Sequence, residues 1–138
     1  MATHRLEPAP NALHGHYSPD LPPVLTIQAG DTVNVKTLDA GWSIYDHADP
    51  FTTPPKVPHD RERDPGHALC GPIAIAGAHP GMTLVVQIME IRTAHRGFSC
   101  GGGFNSYWNE RLNLTAEPEW FVRWQLDPET NTVTSQFG

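Results

Sequence analysis

The sequence predicts an all-β fold, a β-sandwich of jelly-roll type with long Pro/Gly-rich loops. Three observations predict it. Apolar and polar residues alternate at a period of two in several short runs. Helical periodicity is confined to one short stretch. Glycine (12) and proline (14) are frequent enough among 138 residues to interrupt the chain at close intervals. A chain of this length fits one domain, residues 1–138, with a single apolar core.

The first strands are expected in PPVLTIQAGDTVNVKTLDA. VLTI reads as a strand, QAGD as a tight turn whose unusual dihedral Gly30 supplies, and TVNV as a second strand with Val33 and Val35 on a buried face. Residues 45–67 hold five prolines in 23 residues and no periodicity, so they read as a long loop. GHALCGPIAIAGAHPGMTLVVQIMEI then reads as a strand, PIAIA, set between glycine turns, followed by a second strand. That second strand, within MTLVVQIMEIR, carries apolar residues at both parities, as a strand covered on both faces does. FNSYWNERLNL predicts two helical turns with Ser106 as N-cap. In EWFVRWQLDPETNTVTSQFG, residues Trp120, Val122, Trp124 and Leu126 share one face, DPETN turns the chain and TVTSQF returns as partner strand.

Several function classes are disfavoured. No run of eighteen apolar residues marks a membrane span, and MATHRLEPAPNALHGHY has no apolar leader segment, so the expected location is cytoplasmic. The net charge is −6, the cations are scattered and only two are lysines, Lys36 and Lys56; nucleic acid is a poor partner. Cys70 and Cys100 read as free thiols, too few for a paired Cys-x-x-Cys zinc site. FSCGGGFNS lacks the Lys-Ser/Thr ending of a phosphate loop, and no Gly-x-Ser-x-Gly elbow occurs. Cys100 lies five residues from His95, a spacing that by itself establishes no nucleophile and base.

Eight histidines supply the best raw material for chemistry. His14 and His16, two apart, project the same way on an extended chain, where they can share a metal; a surface pair is the competing reading. Asp39 and Asp46 fall at a strand end and in the following loop, where site residues gather, although turn capping accounts for either alone. His67 precedes an apolar segment and is expected at a strand's mouth, whereas His79 in GAHPG reads as a turn residue.

The order of four phrases resembles the acetamidase/formamidase family. They are PPVLTIQAGDTVNVKTLDAGW, GHALCGPIAIAGAHPGMTLVVQIMEIR, GFSCGGGFNSYWNERL and WQLD, which cover most of the chain from Asn11 onward. The resemblance implies a β-sandwich, hydrolysis of a small linear amide, a divalent metal such as zinc or calcium, and assembly as a homo-oligomer or with a complementary second chain. Carried onto matched positions, it implies His16, Asp39 and His67 as metal ligands, with Asp39 and His67 catalytic and His67 alternatively a proton shuttle. This chain departs from the family in three ways. Members are much longer, and their second half carries Gly-Gly-Asn-Met/Ile-Asp, Gly-Asp-x-His and Gly-Asp-Gly-Glu stretches that have no counterpart here. His79 stands where many members carry an acidic residue. LHGHY is offset by one residue from the usual His-bearing phrase. The resemblance therefore implies an N-terminal portion that needs a second half; the alternative is a non-catalytic β-sandwich that binds a small ligand or a partner chain.

Overall fold

The computed structural model describes residues 1–44 and 55–138. Among the described residues the regular elements are nine strands and one short helix, so the all-β expectation holds. The strands are distributed over one three-stranded and three two-stranded sheets, which do not by themselves establish a jelly roll. The chain divides into two compact units, one comprising described residues 1–44 and 55–87, the other residues 88–138.

The first unit contains β1 (Thr3–Leu6), β2 (Leu13–His14), β3 (Leu25–Ile27), β4 (Thr32–Val35), β5 (Leu69–Cys70) and β6 (Ile73–Ile75). VLTI and TVNV form strands as the sequence suggests, but not with each other. β4 pairs parallel with β1, and β3 pairs parallel with β6. The reason lies in the turn between them. Gly30 takes φ +88°, and Asp31 directs its carboxylate across to the N-terminal strand. It accepts the Ala2 N–H at 2.7 Å, the His4 Nε2–H at 2.9 Å and the Gln28 N–H at 3.1 Å. These donors hold the Asp31 carboxyl well below the usual carboxylate range, the Ala2 N–H contributing most. Thr32 N–H then starts the β1–β4 ladder on Ala2 O at 2.9 Å. Val33 is half-buried, while Val35 is exposed rather than buried as its parity suggested. The unit's buried apolar residues are few: Leu6, Ala12 and Trp42.

The second unit contains β7 (Arg96–Gly101), α1 (Tyr107–Arg111), β8 (Trp120–Asp127) and β9 (Thr132–Ser135). β7, β8 and β9 form one antiparallel sheet in that order. Val122 is buried on the face it shares with Trp120, Trp124 and Leu126. The DPETN turn forms as expected, with Asp127 Oδ1 accepting the Glu129 and Thr130 N–H groups. α1 starts at Ser106, whose Oγ accepts the Asn109 N–H at 3.1 Å. Buried Asn109 in turn accepts from Gly102 N–H and donates to Phe104 O, tying the glycine cluster to the helix. A Cβ on Gly103 would lie 2.6 Å from Glu119 N, so this cluster serves close backbone approach.

One expectation is overturned. The run within MTLVVQIMEIR forms no strand, and its apolar residues are exposed. Apolar parity reports a preference for burial, whereas a strand also needs a neighbouring edge. No described strand lies along this run.

Ser106→Ala removes the N-cap acceptor at a cost of about 1 kcal/mol. Native-state hydrogen exchange at the α1 amides should accelerate by about fivefold, with the β1 amides unchanged. Unaltered α1 exchange would show that the cap does not hold the helix.

Candidate functional site

The most constrained part of the first unit is built where two chain segments cross at glycines. His14 and His16 flank Gly15, just after β2 pairs with β5 through Leu13↔Cys70 and His14↔Leu69. Gly15 N–H donates to Asp64 Oδ1 at 2.8 Å, and Gly66 N–H donates to Gly15 O at 2.9 Å. A Cβ on Gly15 would lie 2.7 Å from the Asp64 carbonyl, and one on Gly66 would lie 2.4 Å from Gly15 O. Neither position tolerates a side chain without separating the segments.

Asp64 is the centre of this crossing. It is 1 % exposed, the most deeply buried large side chain of the described residues. Burial opposes its charge, but the Gly15 N–H, Arg63 and His16 outweigh it and hold the carboxyl below its ordinary value. Arg63 donates to Oδ2 through Nε and Nη2, both at 2.8 Å. His16 Nδ1 lies 3.1 Å from Oδ1.

The acceptor fixes the His16 tautomer. An ionised carboxylate only accepts, so Nδ1 carries the proton and neutral His16 keeps its lone pair on Nε2. The ring is one-third exposed, so that nitrogen belongs to a side chain within reach of solvent. The same logic applies to His14, whose Nδ1 donates to His16 O at 2.8 Å. Its Nε2 is therefore also the basic nitrogen. The two rings stand edge to face, 6.4 Å apart. His14 lines an open depression of about 500 Å³ together with Tyr17, Ser18, Leu21, Leu69 and Cys70. Burial, with Glu7 nearby, raises the Cys70 thiol, and it donates to Glu7 O. A raised thiol is a poor nucleophile.

Trp42 braces the crossing from the other side. It is buried, adopts φ +65°, donates Nε1–H to Gly66 O at 3.0 Å and stacks on His59 with ring centroids 3.9 Å apart. LDAGW and GHALCGP, separate in sequence, therefore meet through Trp42–Gly66 and through Ala68 N–H to Ala40 O at 3.3 Å.

The three residues expected as metal ligands occupy different settings. His16 is held by Asp64. Asp39 Oδ1 accepts the Ser43 N–H at 2.7 Å and closes the turn that carries Trp42. His67 is exposed, one residue beyond the Gly66 crossing. Among the described residues, no three His, Cys, Asp or Glu side chains are grouped to hold a metal ion. Asp46 lies outside the described residues. His79 is exposed at a turn, as its sequence context suggests, and Cys70 and Cys100 are free thiols. Sequence reading missed Asp64, which sits in a mixed-charge stretch that looks solvated. Its one signal was the DPG that places a carboxylate two residues before a glycine.

The sequence pattern of the Acetamidase/Formamidase family matches residues 2–125. A formamidase of Methylophilus methylotrophus is 30% identical over 102 residues, covering 67% of this chain and 24% of its own length. A Schizosaccharomyces pombe protein provisionally named a formamidase is 34% identical over 101 residues, with the same coverage. An acetamidase of Mycolicibacterium smegmatis is 29% identical over 96 residues, 66% of this chain and 22% of its own. The chain thus spans about a quarter of the length of these relatives. No solved structure matches it. No helix among the described residues is long and apolar enough to cross a membrane.

Asp64→Ala leaves the buried Gly15 N–H without its acceptor, while the exposed Arg63 guanidinium returns to solvent, and is expected to lower stability by about 1–3 kcal/mol. Asp64→Asn tests the charge itself. Because the folded carboxyl lies below its unfolded value of about 3.9, its stabilisation is complete above that pH and is lost as pH falls through the folded value. Urea titrations from pH 7 to pH 3 should therefore show a shallower acid loss in Asp64→Asn than in the parent protein. Parallel curves would remove Asp64 from the acid transition.

Proposed function

Because the chain belongs to the acetamidase/formamidase family, we propose that it supplies part of a site that hydrolyses short linear amides, formamide- or acetamide-like, to ammonia and a carboxylate. The observation that carries the reading is the His16–Asp64 pair beside the His14-lined depression. Water adds to the amide carbonyl carbon while His16 Nε2 takes its proton. Asp64 stabilises the resulting imidazolium and keeps the ring oriented. The proton then passes to the amide nitrogen, the C–N bond breaks, ammonia leaves, and the carboxylic acid formed gives its remaining proton to solvent or ammonia to become the carboxylate.

The remainder of the site is drawn from polypeptide corresponding to the family length that this chain does not span, either continuous with it or as a complementary chain. Asp39 and His67 are the next candidates: the phrases that carry them converge on the Trp42–Gly66 contact. A divalent metal such as zinc or calcium would need donors beyond the described set, so no step above depends on one.

Ammonia release from formamide, acetamide and propionamide tests the reading. It is measured for the chain alone and co-expressed with the unmatched part of the Methylophilus formamidase, with zinc, calcium or chelator added. The co-expressed pair should turn over, His16→Ala should lower kcat by about 10²-fold or more, and Asp64→Asn should lower it less. Chelator sensitivity would assign metal participation. Absence of turnover in every arm would leave a non-catalytic β-protein that binds a small ligand or a partner chain.

A further inference from the structure

The least satisfied segment of the molecule is the passage from the first unit to the second, residues 82–91. It contains no proline or glycine, and seven of its ten residues are large and apolar. All seven are exposed, from Met82 at 63% to Val85 at 85%. In extended conformation Met82, Leu84, Val86 and Ile88 fall on one face, and Val85, Met89 and Ile91 on the other. A chain with two apolar faces and two free edges has the character of a central strand without its sheet.

We propose that residues 82–91 are a docking strand for the polypeptide that makes up the rest of a family member's length. That polypeptide adds strands at both edges and covers both apolar faces. A second copy of this chain is a poorer occupant: pairing 82–91 with its own duplicate joins one edge and leaves the two faces bare. The relatives' unspanned length, about three quarters of each, supplies enough polypeptide for the larger task. The inference rests on the reading that the chain works with that remainder, and it concerns where the remainder sits rather than what reaction results.

The full chain is co-expressed with a tagged polypeptide comprising the unmatched part of the Methylophilus formamidase. Co-purification at a 1:1 ratio is expected, with amide exchange across 82–91 slowed at least tenfold relative to the chain alone. Val86→Lys with Ile88→Lys should abolish co-purification. Both side chains are exposed in the free chain, so exchange at the β1 and α1 amides should remain as in the parent and show that the variant is folded. Failure to co-purify overturns the proposal, as does protection that appears elsewhere and leaves 82–91 unprotected. A concentration-dependent homodimer that the double substitution disrupts, with no capture of the tagged polypeptide, would overturn it in favour of a second copy. A complex protected at 82–91 that releases no ammonia leaves the docking strand standing and removes the amidase reading. Amidase activity without that protection does the reverse.

Discussion

The first unit depends on one crossing, where Gly15 and Gly66 bring two backbone segments to van der Waals contact around a buried carboxylate. Asp64 is both the ligand of the crossing and its main liability. Buried without donors, a carboxylate would neutralise or expel itself; here a backbone N–H, an imidazole and a guanidinium converge on it. The glycines set how near the segments come, and that nearness lets one carboxylate reach the Gly15 amide and the histidine ring beyond it. With so few apolar residues buried in this unit, directional bonds at the crossing carry an unusual share of its order.

The candidate chemistry is a by-product of that stabilisation. Asp64 orients His16 because it must be satisfied, and satisfying it fixes which nitrogen of the ring is basic. The same side chain that closes the fold thus prepares a base at a partly exposed position. Asp39 takes a different path: its carboxylate is spent on the turn leading into Trp42, and its contribution to the site runs through that indole.

Local signals in the sequence were legible where the cause is local. Ser106 caps α1, Gly30 turns the chain, and the DPETN hairpin with its alternating β8 face forms as its pattern indicates. Long-range facts were not legible. Nothing in VLTI or TVNV says that each pairs in parallel with a distant strand, because the decision rests with Asp31 reaching Ala2 and His4. The apolar run after Gly81 advertises a buried strand, but burial needs a neighbour that the run itself does not encode. At the site, the histidine pair was visible as composition, while Asp64 was hidden among charges. A solvated carboxylate and a buried one share the same letter, and only the partners separate them.

The stacking of Trp42 on His59 gives the crossing an optical signature. Trp108 and Trp120 are exposed and Trp124 is partly so, leaving Trp42 as the deeply buried indole. Its ring is locked to the Gly66 carbonyl and faces an imidazole at stacking distance. The blue edge of the protein's fluorescence therefore belongs mainly to one residue of the first unit. Loosening of the Gly15–Gly66 contact is written in that emission before the outer tryptophans register any change.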